Sequence, residues 1–136
     1  MKSLLAGFLV ILVMLFMVSS CATVSTEQPE PLAPGGLRLL GAQFTEMTRI
    51  RQNAKYPLEI KFESDGNIEV RRACLYWDNI GPNCFGVKGV SFGERIIRTD
   101  VATPTAGYYV MKCYVLYVRN GNTIRSNMVE GPVEIK

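Results

Sequence analysis

The strongest constraint on this chain is a series of short alternating segments after residue 36, separated by turn residues. In one segment Leu58, Ile60 and Phe62 alternate with polar side chains, which gives the segment one apolar face. Residues 108–119 are predicted to form the strongest strand of the region. Period-two alternation is typical of β-strands, and no 3.6-residue periodicity competes with it here. The region is therefore predicted to be all-β.

Turn residues divide this region into about seven strands. Asp65-Gly66 and Asn120-Gly121 favour tight turns because these residue types accept positive φ. A β-bulge is expected at Arg71–Arg72, where the apolar spacing changes from two residues to three. Pro132 lacks a backbone N–H, so the last strand is predicted to be an edge strand or to be interrupted there. The predicted strands cover residues 37–40, 56–63, 68–77, 84–92, 95–98, 108–119 and 123–136, with a loop at 78–83.

Three stretches of this region resemble bacterial immunoglobulin-like repeats. They are residues 58–77 with their Asp-Gly turn, residues 107–115 with the sequence GYYVMKCYV, and the ending at 125–127 and 133–135. The resemblance implies a single antiparallel immunoglobulin-like β-sandwich at residues 37–136, with adhesion, spacing or binding as its role. It also implies that Tyr109 is a packing residue.

The first twenty residues differ sharply from the rest. Lys2 precedes an apolar run of fifteen residues, Leu4–Val18, and small residues follow it. A spanning helix needs about 20 apolar residues, so the run is too short for one. A positive start, an apolar stretch and small residues predict an export signal peptide at residues 1–20. An uncleaved membrane anchor is the alternative.

Val18-Ser19-Ser20-Cys21 resembles the lipobox of bacterial lipoproteins. The resemblance implies cleavage before Cys21, acyl chains on Cys21, and a membrane partner held through those chains. Ala22 in the next position implies the outer membrane if the host has two membranes. Residues 21–36 contain three prolines and two glycines without apolar periodicity, so they are predicted to be a lipidated N-terminus and a flexible tether. The expected location is the cell envelope.

Composition weakens the case for catalysis and for nucleic-acid binding. The chain has no histidine, which removes the commonest general base and the commonest metal ligand. Its net charge of +3 is too small to indicate a nucleic-acid partner. No catalytic residue, metal site or cofactor is predicted, and we expect a protein that is not an enzyme.

Three cysteines remain after Cys21, and an exported protein can join two of them. A hairpin centred near Asn79 would bring Cys84 opposite Cys74. Cys113 belongs to the inward set of its strand and would then be a buried thiol. Cys74–Cys84 is the favoured pair, and Cys74–Cys113 is the alternative.

The outward set of residues 108–119 contains one charged member, although a solvated sheet face is normally polar. Tyr108, Tyr114 and Leu116 belong to this set, and Tyr76 is expected on the neighbouring strand. These four residues are the predicted binding face, for a protein partner or for self-association. The alternative is that residues 37–55 fold over this face and bury it.

The predicted function is therefore a membrane-anchored envelope module for interaction or structural support. The alternative function is a carbohydrate-binding or adhesion module that uses exposed aromatic side chains. Trp77 is predicted to lie in the core, with sugar stacking as its alternative role.

Overall fold

The computed structural model describes residues 30–45 and 49–136, and within these ranges the protein is all-β and contains no helix. The predicted signal peptide, Cys21 and most of the tether lie outside the described residues. The all-β, antiparallel prediction is confirmed. The eight strands are β1 (Leu37–Phe44), β2 (Lys55–Ser64), β3 (Val70–Trp77), β4 (Ile80–Ser91), β5 (Ile96–Ala102), β6 (Gly107–Arg119), β7 (Asn122–Arg125) and β8 (Val129–Ile135).

The strands pair in the order β1–β2–β5–β4–β3–β6–β7, and β8 also pairs with β6. Every pairing is antiparallel, and the sheet curls into a half-barrel. β4 links two ladders, because its first half pairs with β3 and its second half pairs with β5. The buried apolar side chains of the sheet form one core cluster.

The core is built from the alternating side chains of β2, β3, β5 and β6. Leu58, Ile60 and Phe62 of β2 are fully buried, as their alternation predicts. Trp77 is 2% exposed, stacks on Phe44 with ring centroids 6.4 Å apart, and meets the Tyr109 ring edge-on at 5.7 Å. Burying a large apolar side chain contributes about 1.5–3 kcal/mol. The core position of Trp77 is confirmed, and its burial removes it as a sugar-stacking surface.

A β-bulge explains why β1 is longer than the predicted strand at residues 37–40. Leu37 and Leu39 are buried, and so is Phe44, but a register shift lies between Leu39 and Gly41. Strict alternation from Leu39 would place residues 41 and 43 on the core side. Because the bulge adds one residue, Ala42 and Phe44 lie there instead. The bulge that was predicted at Arg71–Arg72 is confirmed, because the β3–β6 register shifts between Val70 and Arg72.

The predicted loop at residues 78–83 is wrong. The turn is limited to Asp78 and Asn79, and β4 already begins at Ile80. Gly81-Pro82, the sequence that suggested a loop, lies inside the strand. The first half of β4 pairs on one side only, and a strand edge tolerates proline because no partner needs its missing N–H.

The strand predicted at residues 95–98 also ends too early, because β5 continues through Thr99 and Asp100 to Ala102. Thr99 is buried, and its hydroxyl donates to the carbonyl of Gly86, 3.0 Å away. A buried hydroxyl is tolerated when it has such a partner. The polar residue therefore belongs to the strand interior.

The last predicted strand, residues 123–136, is two strands that share one edge of β6. The tight turn at Asn120-Gly121 is confirmed, with φ values of 51° and 76° before β7 begins. The segment between β7 and β8 is not part of either strand. Its first residue, Ser126, still bonds to β6: the Ser126 N–H donates to the Val115 carbonyl, and the Ser126 hydroxyl accepts the Val115 N–H. Pro132 lies in β8, which pairs with β6 alone.

Asn127, in the break between β7 and β8, clamps β1. Its side-chain carbonyl accepts the N–H of Leu39 at 2.7 Å, and its side-chain amide donates to the carbonyl of Leu39 at 3.0 Å. One amide side chain thus satisfies both backbone groups of a residue on another strand.

Replacing Asn127 with alanine should lower the free energy of unfolding by about 1–3 kcal/mol, because both backbone groups of Leu39 lose their partner. Denaturation in urea measures the change. Asn67→Ala is the control, since Asn67 is an exposed loop residue. Equal stability of the two variants would contradict the clamp.

Candidate functional site

The outer face of the sheet, on the side away from the core, is organised around a disulfide. Cys74 and Cys84 are direct register partners on β3 and β4, and the structure joins them. This is the favoured pairing from the sequence, and it closes a loop with a sequence separation of 10. A disulfide that closes a loop of this size stabilises the fold by about 2–3 kcal/mol. Cys74 is fully buried beneath its neighbours on the outer face.

Tyr114 contradicts the expectation of an exposed binding residue. It lies on the outer face beside Cys74, but its exposed fraction is only 7%. The Arg125 guanidinium lies 4.1 Å from the Tyr114 ring centroid, and the Tyr76 ring is 6.2 Å away. A cation over an aromatic face is attracted by the ring quadrupole. Arg125 therefore covers the ring that was expected to meet a partner.

The alternative prediction, that residues 37–55 fold over the outer face, is also wrong for the residues that the structure describes. Leu37, Leu39 and Phe44 belong to the core cluster on the other side of the sheet, and Ile50 packs against that cluster. On the outer face, Tyr114 is covered by the neighbouring side chains of Arg125 and Tyr76. Leu116 and Tyr76 remain half-buried.

The exposed apolar part of this face lies toward the start of β6. Tyr108 is 81% exposed, Val110 is 40% exposed, and Met128 is 36% exposed. Met128 borders a shallow pocket of about 170 Å³ with Tyr76 and Lys112. We call Tyr76, Tyr108, Val110 and Met128 the outer-face patch. Of the predicted face, Tyr76 and Tyr108 belong to this patch, whereas Tyr114 and Leu116 lie further along β6.

Asp78 fixes the backbone beneath the patch. Its carboxylate accepts the N–H of Val110 at 2.8 Å, and its own N–H donates to the Val110 carbonyl at 2.9 Å. Asp78 has a φ of 53°, so the turn places both groups toward β6. The β3–β4 turn is thereby held against the strand that carries Tyr108 and Val110. No local sequence pattern predicts this contact, because it joins residues 32 positions apart.

Tyr109 points to the core side, as expected for a packing residue. Its hydroxyl donates to the carbonyl of Thr105 at 2.8 Å, so the polar end of a mostly buried ring has a partner. Ring and hydroxyl together hold the turn that leads into β6.

The chain enters the domain far from the patch. The N–H of Gly36 donates to Ala33 in a turn, and the N–H of Gly35 donates to the Asp65 carboxylate at 2.9 Å. The turn lines a shallow cavity with Arg119 and Asn120, at the end of β6 opposite Tyr108. At about 3.3 Å per residue, Tyr108 and Arg119 are roughly 36 Å apart along β6.

The described residues give little material for metal chemistry. They contain no group of three or more His, Cys, Asp or Glu side chains that would hold a metal ion. The one free thiol among them is Cys113, which is fully buried in the core. Burial raises the pKa of the Cys113 thiol from its ordinary value of 9.0 to about 12, because the interior disfavours the thiolate.

No protein-family model matches the chain, and no curated protein matches it. Between residues 30 and 136, outside the undescribed positions 46–48, no helix is long and apolar enough to cross a membrane.

Cys113 should resist iodoacetamide at pH 8.5 in the folded protein and react after unfolding in guanidinium. The unfolded thiol ionises near pH 9, whereas the folded thiol stays protonated up to about pH 12. Stability should therefore fall as pH rises above 9, since unfolding then releases a proton. Mass spectrometry on a Cys21→Ser chain measures the labelling, and Cys21→Ser with Cys113→Ala is the control. Rapid labelling of the folded chain would contradict the burial.

Proposed function

We propose that this protein is a lipid-anchored envelope protein whose β-domain is a non-enzymatic interaction module. The observation that carries the proposal is that the chain entry and the outer-face patch lie at opposite ends of the domain. The chain enters beside Asp65 and Arg119, and the outer-face patch lies at the opposite end of β6. A domain tethered in this way would present Tyr108 and Val110 away from the bilayer.

The anchor in this proposal is Cys21. The supporting pattern is the apolar run followed by Val18-Ser19-Ser20-Cys21, which resembles a lipobox. Each buried CH₂ of an acyl chain contributes about 0.8 kcal/mol, and stable anchoring needs more than one chain. The proposed location is the envelope, at the outer membrane if the host has two membranes.

The fold that we propose for the domain is an immunoglobulin-like sandwich. One ladder, β1–β2–β5–β4, and a second, β4–β3–β6 with β7 and β8, follow the strand order of that family. The hydrogen bond from the Tyr109 hydroxyl to Thr105 resembles the tyrosine corner of such domains. The buried Trp77 on β3 resembles their core tryptophan.

The partner that we propose for the outer-face patch is a protein. Tyrosine and methionine are enriched at interfaces, and Tyr108 is the most exposed of the large apolar side chains of the described chain. The backbone under Val110 is fixed by Asp78, so little conformational entropy remains to be lost there on binding. Lys112 and Asp78 provide a polar border beside Met128.

Cells grown with radiolabelled palmitate should label the wild-type protein and a Cys113→Ala variant, but not Cys21→Ser. The label follows the acylated cysteine, and the Cys113 variant controls for loss of a different thiol. Mass spectrometry of the purified protein should show an N-terminus at an acylated Cys21. An intact start at Met1, or an unmodified thiol at Cys21, would contradict the anchor.

A photo-crosslinking residue at Tyr108 should give a discrete protein adduct in intact cells, and the same residue at Leu40 should not. Leu40 is a matched control because it is 58% exposed on β1. Adding Val110→Ser should lower the adduct yield about tenfold, as expected for losing roughly 1.4 kcal/mol at an interface. Equal adduct yields at Tyr108 and Leu40 would contradict a protein partner at the patch. Binding to a glycan array that Tyr108→Ser abolishes would favour the carbohydrate alternative.

A further inference from the structure

No ladder joins β1 to β8, and a groove opens between the second halves of these two strands. Its volume is about 370 Å³, within the range of ligand sites. Apolar side chains form much of its lining, including Phe44, Ile50, Met111 and Val133. Neither strand has a pairing partner on this side among the described residues.

The backbone of β1 presents hydrogen-bonding groups to this groove. The Thr45 N–H donates to Pro57 on β2, so alternate residues before Thr45 point their backbone groups toward β2. Ala42 and Phe44, which lie between those residues, point their N–H and C=O groups the other way. The clamp by Asn127 at Leu39 confirms this direction on the other side of the bulge.

The backbone of β8 does the same from the opposite wall. Both backbone groups of Val110 on β6 face Asp78, which lies on the β3 side, so Val110 is not hydrogen-bonded to its β8 partner, Pro132. In an antiparallel ladder the hydrogen-bonded pairs alternate. The groove therefore receives the carbonyl of Pro132 and both backbone groups of Glu134. Lys136 continues this alternation, since both of its backbone groups point away from β6. Its N–H donates to the Ile50 carbonyl, and its carbonyl accepts the Gln52 N–H.

The two walls run in the same direction. Six antiparallel steps lead from β1 through β2, β5, β4, β3 and β6 to β8, and an even number of steps makes the end strands parallel. A chain running in the opposite direction between them would be antiparallel to both. The Asn127 clamp and the Lys136 bonds close the two ends, which limits the length of such a chain to a few residues.

We propose that this groove binds a short extended peptide segment of a partner protein by β-strand addition. The peptide backbone would pair with Ala42 and Phe44 on one side and with Pro132 and Glu134 on the other. Apolar side chains of the peptide would face Phe44 and Met111. Arg49 and Lys136 outnumber Glu134 at the lining, so an acidic residue in the peptide is favoured. This site is separate from the outer-face patch.

A displayed library of random heptapeptides, selected on the full-length protein, tests the proposal. Ala42→Pro removes an N–H that faces the groove and leaves the bonds to β2 in place, because proline is tolerated at a strand edge. Selected peptides should bind Ala42→Pro roughly 5- to 100-fold more weakly, as expected for one unsatisfied backbone group. They should bind Leu40→Ser and Tyr108→Ser as tightly as the wild type.

Amide hydrogen exchange of the peptide complex gives a second measurement. The amides of Ala42, Phe44 and Glu134 should exchange more slowly when the peptide is bound, while that of Tyr108 should not change. Failure of the library to yield binders would overturn the proposal. So would binders that tolerate Ala42→Pro, or binders that leave these three amides unprotected. Binding lost in Tyr108→Ser and kept in Ala42→Pro would assign the peptide to the outer-face patch instead.

Discussion

The pairing of β6 along both of its edges is the constraint on which the rest of the domain depends. One edge pairs with β3, and the other pairs with β8 over its first half and with β7 over its second half. One face of the same strand places Met111, Cys113 and Val115 in the core, and the other face carries Tyr108 and Val110. The core, the outer-face patch and the edge of the groove therefore share one backbone.

This arrangement interrupts the strand pairing along one edge of β6, and polar residues bond the backbone groups that are left without a strand partner. The edge of β6 cannot continue from β7 to β8 without a gap at residues 126–128. Ser126 fills part of that gap by bonding both backbone groups of Val115, and Asn127 turns outward to hold Leu39. Buried backbone groups that lack partners are costly, so these two polar residues stabilise the irregular stretch between β7 and β8.

Local pattern in the sequence predicted the strands and their faces, and it failed where distant residues decide the outcome. The alternation of Leu58, Ile60 and Phe62 needs no partner to be recognised, and the spacing about Asn79 was enough to place Cys84 opposite Cys74. The exposure of Tyr114 was not predictable in this way, because Arg125 on another strand covers it. The end of β1 was missed because its bulge breaks the two-residue period. The contact of Asp78 with Val110 leaves no pattern at all.

The direction of backbone groups also explains why proline is tolerated in β2 and in β8, and where an opening remains. Pro132 faces the groove, where its missing N–H costs no ladder bond, and Pro57 lacks only the bond to Thr45 just beyond the end of β1. Proline at an edge discourages pairing with stray strands, since it removes one donor from the row. The same edge of β8 keeps the Glu134 N–H and faces the unpaired groups of β1. An incoming segment must therefore match both walls at once, which makes the opening selective for a chain of one direction and short length.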